Sequence, residues 1–307
     1  MNNRVNALTI DVEDYFQVQA FSAVSKYETW DNYEVRVEKN TNNILEILDG
    51  IPSHDPANGS AIHCRATFFV LGWIAERYPH IVRAIKEAGH EIASHGYAHQ
   101  VIYNQTKDEF RKDIRRAKAV LQDITGEEII GYRAPSYSIT PETLWALEIL
   151  MEEGFHYDSS IFPVYHDIYG MPDAPRFPFA VRMDEKRKIE FAPISAETKR
   201  TTLLEFPIST VKILGTNIPV AGGGYFRLFP YQLIKYGLKR INEVDRQPFI
   251  IYLHPWECDP EQPKMKGAGL RSQFRHRINL SKTQRRFQKL LDDFQFTTVR
   301  DTLSNHL

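Results

Sequence analysis

"ATFFVLGWIAERYPHIVRAIKEAGHEIASHGYAH", residues 66–99, holds one full repeat of a fold. An apolar run of strand length, ATFFVL (66–71), leads into an amphipathic stretch near 75–88, and the glycine of EAG (87–89) marks its stop. A second strand-like run, HEIASHG (90–96), follows at once. Strand, helix and strand in about thirty residues is the pattern of a parallel βα unit. At its end stand His95 and His99, four apart. Two imidazoles at i and i+4 of a helical turn point the same way and can share a zinc ion; the plain alternative is a pair of solvated or core histidines.

The same alternation continues in both directions. Strand-like runs occur at ALTIDV (7–12), IIGYRA (129–134), LLEFPIS (203–209) and PFIIYLH (248–254), with further amphipathic stretches near 106–123, 141–153 and 230–243. This predicts an α/β fold of parallel βα units, as a barrel or an open doubly wound sheet. TKDEF from Thr106 and TPETL from Thr140 read as capped helix starts, and EEG (152–154) as a glycine stop. Two stretches break the rhythm. Residues 162–179, dense in proline and aromatics, read as an ordered excursion over one face. Residues 258–277 collect Lys264, Lys266, Arg271, Arg275 and Arg277, and read either as a solvated loop before the last helix or as an anion-binding segment.

The 307 residues fit one large α/β domain, without repeats or linkers. With 38 basic against 39 acidic residues, no global charge argues for nucleic acid or an anionic membrane, so any electropositive site is local. Cys64 and Cys258 form neither a disulfide framework nor a thiolate metal motif. The N-terminal residues reach strand-like sequence without an apolar stretch of signal-peptide length, and no run approaches the roughly 20 residues that span a bilayer. The expectation is a cytoplasmic protein whose membrane contact, if any, is peripheral.

The polar residues fall where a parallel α/β fold puts chemistry. Asp11, Glu13 and Asp14 sit at the end of the first strand; His95 and His99 follow the third; Arg133 ends the fourth; His254 ends the last. All strand C-termini of such a fold open on one face. The reading therefore gathers these side chains into one site.

LTIDVED (8–14), ASHGYAH (93–99), GYRAPSYS (131–138), YDSS (157–160) and YLHPWE (252–257), in this order, resemble the motifs of the polysaccharide deacetylase family, carbohydrate esterase family 4 with the NodB-homology domain. AGGGYFRLFPY (221–231) and the C-terminal RINLSKTQ and LLDDFQFTTVRDTL are similar to its exosortase-associated branch, linked to exopolysaccharide gene clusters. The resemblance implies a distorted (β/α) barrel with fewer than eight regular strands, spanning 1–307 with a branch-specific part from about 221 to 307. It implies a metal-dependent N-deacetylase acting on an N-acetylated sugar of an exopolysaccharide or its precursor, with possible attachment to a membrane polysaccharide-assembly system.

Carried over by motif, His95 and His99 become metal ligands, Asp11 the general base, Arg133 its orienting partner and His254 the general acid. The backbone N–H of Ser136, beside Tyr137, would receive the oxyanion. Two His and a carboxylate suit zinc, with cobalt, nickel or iron as alternatives. Where the family carries a second Asp as ligand, this chain has Val12. Strand alternation puts Asp11 and Glu13 on one face, favouring Glu13 as the third ligand, with Asp14 as the alternative. Asp158 either orients a catalytic group or caps a turn. Tyr225, after three glycines, either stacks on a sugar or belongs to a tight turn. The rival readings are hydrolysis of another small amide and a non-catalytic carbohydrate-binding component.

Overall fold

The apolar runs become parallel strands buried on both faces, as expected for strands covered by crossover helices. The computed structural model describes residues 4–54, 61–166, 169–195, 202–304 and 306–307. The strands are β1 (Val5–Val12), β2 (Pro52–His54), β3 (Ala61–His63), β4 (Thr67–Val70), β5 (Glu91–Ser94), β6 (Gly131–Tyr132) and β7 (Tyr157–Asp158). They continue with β8 (Phe179–Met183), β9 (Ile189–Ala192), β10 (Leu203–Glu205), β11 (Thr210–Ile213), β12 (Thr216–Pro219), β13 (Ile250–Leu253) and β14 (Gln295–Thr297). The helices are α1 (Val37–Asp49), α2 (Gly72–Arg77), α3 (Pro79–Glu87), α4 (Lys107–Thr125) and α5 (Trp145–Glu152). The C-terminal part adds α6 (Gly223–Leu228), α7 (Tyr231–Arg240), α8 (Leu270–Arg277), α9 (Leu280–Asp293) and α10 (Val299–Leu303).

The main sheet has the order β13-β1-β4-β5-β6-β7-β10-β8-β9, with β14 paired to the start of β1. The path from β13 to β10 is parallel throughout, and β8 and β9 extend it antiparallel. Among the described residues no ladder joins β10 back to β13. One side-chain bond bridges that seam, the Ile250 amide donating to Ser209 Oγ at 2.9 Å. This is the distorted barrel with fewer than eight regular strands that the motifs implied. Its buried core runs from Ala7 to Leu303. Among the described residues no helix is long and apolar enough to cross a membrane.

The helix starts and stops follow the sequence signals. Thr106 and Glu109 form a reciprocal capping box on α4, and Gly89 and Gly154 end their helices at φ of +80° and +71°. The start at Thr140 is split, a single 3₁₀ turn at Pro141–Thr143 preceding α5. Four features depart from the sequence reading. Residues 95–99 are not helical. Helix α1, rich in polar residues, was not anticipated, and neither were the hairpins β8–β9 and β11–β12. The basic stretch after residue 258 ends in helix α8 rather than remaining a loop throughout.

Candidate active site

Sheet register explains why the site assembles. Val12 pairs with Val70, Val70 with Ser94, Ser94 with Tyr132 and Tyr132 with Asp158, while Leu253 pairs with Ile10. The residues just past this row are Glu13, His95, Arg133 and Ser159, with His254 alongside. Glu13, His95 and His254 line a cleft of about 140 Å³ together with Asp11 and His99, with Ala134, Ser136 and Tyr137, and with Val18, Gln19, Tyr169 and Tyr252.

Glu13, His95 and His99 each offer a ligand atom, and these atoms lie within 4.8 Å of one another. The two histidines converge through a loop. Gly96 adopts φ +72° and His99 φ +51°, both left-handed, which ends any helical continuation from β5. Asp113 of α4 holds the loop by accepting the Tyr97 amide at 2.8 Å and the Ala98 amide at 3.3 Å. A Cβ on residue 96 would lie 2.8 Å from Asp113 Oδ2. The Nδ1 of His95 is 2.9 Å from the Arg133 carbonyl oxygen, to which it donates, leaving Nε2 as the lone-pair nitrogen. Glu13 Oε2 is buried without a hydrogen-bond donor and lies 2.8 Å from His99 Nε2. Two basic nitrogens facing an undonated carboxylate oxygen fit a divalent cation. Burial would raise the Glu13 pKa, but His99 and His254 outweigh it and hold it at about 2. Burial lowers His95 to about 4, keeping its imidazole neutral as a ligand must be.

Asp14, the alternative third ligand, lies outside this group. Its Oδ2 accepts the amides of Arg36 at 2.6 Å and Val37 at 2.8 Å, and its Oδ1 accepts that of Tyr15 at 2.8 Å. It caps the N-terminus of α1, where unpaired amides seek an anion, and is outside the ligand group.

Asp11 and His254 flank that group. The buried Arg133 donates through Nη1 to Asp11 Oδ1 at 2.6 Å and to Thr9 Oγ1 at 2.8 Å; its Nε and Nη2 engage Ser159. His254 Nε2 lies 3.2 Å from Glu13 Oε1 and 3.9 Å from Asp11 Oδ2. Its Nδ1 is 3.2 Å from Glu257 Oε2, which also accepts the His254 amide. Glu257 in turn accepts Arg227 Nε at 2.6 Å. Burial opposes charge on both, yet Arg227 and His254 hold Glu257 at about 2, and Glu13 and Glu257 raise His254 to about 9. Both carboxylates thus favour the protonated imidazole.

Ser136 and Tyr137 line the cleft as expected, both with φ +54°, the strained turn that follows Pro135. Asp158 does not reach the cleft. It accepts Ser160 Oγ at 2.5 Å, and Ser160 Oγ accepts the Ala134 amide at 2.7 Å, so Asp158 braces the turn from below. Burial pushes the Asp158 carboxyl up to about 6, and burial together with the Asp158 charge pushes that of Glu205 well up. Tyr225 also stands one layer back, its ring edge-on to Phe162 at 6.3 Å. The glycines before it serve packing: a Cβ on Gly222 would meet Tyr252 at 2.2 Å, and one on Gly223 would meet Glu257 at 2.1 Å.

Sequence reasoning missed Glu257, Arg227, Asp113, Glu205, Tyr169 and Tyr252 as parts of the site. Glu257 carried a signal, since it stands three residues after His254 in YLHPWE. Trp256, in the same motif, donates Nε1 to Glu13 Oε1 at 3.3 Å.

A family model described as Polysaccharide deacetylase matches residues 60–151, the segment that supplies His95, His99, Arg133 and Ser136. The segment 60–151 is therefore similar to a polysaccharide deacetylase domain. A second model, described as Domain of unknown function (DUF3473), matches residues 159–304, which supply Arg227, Tyr252, His254 and Glu257. Asp11 and Glu13 precede both, so the site is built from both matched segments and the end of β1.

Among its relatives, the chain is 27% identical over 164 residues to the peptidoglycan deacetylase-like protein FGM2 of Gibberella zeae, covering 53% of this chain and 44% of that one. It is 34% identical over 104 residues to a peptidoglycan-N-acetylglucosamine deacetylase of Bacillus cereus, covering 34% and 35%. It is 31% identical over 99 residues to the peptidoglycan deacetylase of Helicobacter pylori, covering 32% and 33%. The matches thus span less than half the length of these relatives. In fold, the chain is similar to a Mycobacterium smegmatis protein assigned to the polysaccharide deacetylases, with TM-score 0.56, 18% identity and coverage of 98% and 88%. It is also similar to Puue allantoinase, with TM-score 0.55, 17% identity and coverage of 97% and 88%.

Proposed function

We propose that this protein is a metal-dependent N-deacetylase that removes acetyl groups from N-acetylated sugars of an exopolysaccharide or its precursor. The observation that carries the reading is the convergence, on one cleft, of an Asp11–Arg133 pair and a His254–Glu257 pair on either side of Glu13, His95 and His99. A divalent cation held by those three residues would supply Lewis acidity to a water molecule and to the amide oxygen. Asp11, oriented by Arg133, accepts the proton of the attacking water. The N–H of Ser136, presented by the left-handed turn after Pro135, faces the developing oxyanion. His254, held protonated and aimed by Glu257, donates its proton to the departing amine, which otherwise leaves poorly.

Zinc is the metal of this reading, because two imidazoles and one carboxylate with open positions suit it. The exopolysaccharide assignment draws support from the motifs at 221–231 and 277–303. In the same reading residues 1–307 act as one domain, with 221–307 as the branch-specific part, and the reaction takes place in the cytoplasm on precursors. The test is acetate release from N-acetylated oligosaccharides by protein stripped of metal and then reloaded with zinc. We expect release to return with zinc and to be lost in His254→Ala; zinc uptake without acetate from any such substrate would reject the deacetylase reading.

A further inference from the structure

One stretch of the chain has a charge unlike the rest. From Gln262 to Leu291 there is no Asp or Glu, while five cations fall in 262–277 and four more in 278–291, in a chain whose net charge is −1. Among the described residues Lys264, Lys266, Arg271 and Arg275 are exposed, and none has a carboxylate within salt-bridge distance. Helix α8 lies in this stretch. At 100° per residue, Leu270, Phe274, Arg271 and Arg275 occupy one continuous arc, and His276 lies opposite. The exposures agree: Leu270 is 89% and Phe274 65% exposed, both arginines are exposed, and His276 is buried.

The buried face fixes this helix to the active site. His276 stacks on Trp256 at 4.2 Å and packs against Phe21 at 4.7 Å, and its Nε2 lies 2.7 Å from Gln262 Oε1. Arg227, the partner of Glu257, donates to the carbonyls of Arg275, His276 and Ile278. The Arg275 charge acts on the hydroxyl of Tyr169, which lines the cleft. Helix α8 is therefore tied by its buried face to Trp256 and Arg227, the neighbours of His254 and Glu257.

We propose that α8, with Lys264 and Lys266 before it, is a docking surface for an anionic lipid bilayer, which brings the cleft to sugars anchored in that membrane. The second half of this statement rests on the deacetylase reading; the docking does not. Charge complementarity selects an anionic partner, since clustered Lys and Arg are drawn to acidic lipid surfaces. The apolar pair selects a bilayer among anionic partners. A leucine and a phenylalanine side by side gain by entering the acyl boundary and gain nothing from a solvated phosphate or acidic polymer. The helix is two turns long, so it lies on the surface and does not cross.

The test is co-sedimentation of the full chain with phosphatidylcholine vesicles and with vesicles of phosphatidylcholine mixed with phosphatidylglycerol. It requires no substrate, so its failure is distinguishable from failure of the deacetylase reading. Binding is expected to the mixed vesicles only, to weaken as salt rises, and to fall roughly tenfold or more in Arg271→Glu/Arg275→Glu. Leu270→Ser/Phe274→Ser is expected to weaken binding similarly while leaving turnover of a water-soluble oligosaccharide unchanged. A protein that stays in the supernatant with mixed vesicles overturns the proposal. So does binding that ignores the Leu270/Phe274 substitutions and is matched by soluble polyphosphate, which would mark the face as a site for an acidic polymer.

Discussion

At the scale of single residues, the site works by pairing each reactive group with a buried partner. Asp11 has Arg133 at 2.6 Å, and His254 has Glu257 at 3.2 Å. Asp11→Asn keeps the shape and removes the base; kcat for acetate release is expected to fall by roughly 10²–10⁴ with metal binding retained. Glu257→Gln removes a carboxylate that raises the His254 pKa. The imidazolium needed for protonating the amine is then lost at lower pH, so the alkaline limb of a kcat–pH profile is expected to move to lower pH. An unmoved limb would remove His254 as the acid. The gathering of Asp11, His95, His99, Arg133 and His254 was legible because each falls at or soon after the end of an apolar strand run. Strand alternation favoured Glu13 over Asp14, but what draws Asp14 away, the amides at the start of α1 some 22 residues further on, was not legible. Glu257 and Arg227 are 30 residues apart, and their pairing is written only in three dimensions.

At the scale of elements, the chain shows which signals survive folding. The central strands were readable as unbroken apolar runs because parallel strands are covered on both faces. Strands β8 and β9 are only partly buried and mixed in composition, so no comparable run marks them. The spacing of His95 and His99 suggested a helical turn, and the structure reaches the same convergence through left-handed residues at Gly96 and His99. That loop depends on Asp113 of α4, sixteen residues away in sequence from Tyr97. Asp113→Ala is expected to leave the ligands intact and weaken zinc roughly 10–100-fold, as loss of supporting bonds commonly does; competition with a chromophoric chelator would measure it. Unchanged affinity would mean the loop holds its shape without that carboxylate.

At the scale of the molecule, the cleft lies where the segment 60–151, the segment 159–304 and β1 meet. Metal bound by Glu13, just after β1, and the histidines after β5 would join the ends of two strands of one sheet through buried side chains. Zinc is expected to raise the thermal midpoint, by the equivalent of about 2.7 kcal/mol at a hundredfold excess over Kd. The rise should vanish in His95→Ala, and calorimetry with and without chelator would show it. The barrel class was implied by motif order, but the way 221–307 braces His254 through Arg227 was not foreseeable from composition or periodicity.

The most direct measurement is metal content with acetate release, determined together on the wild-type chain, Glu13→Gln and Asp14→Asn. One metal ion per chain and full turnover in the wild type and Asp14→Asn, with both lost in Glu13→Gln, is the predicted result. Metal and turnover that persist in Glu13→Gln, or disappear in Asp14→Asn while the protein remains folded, would contradict it.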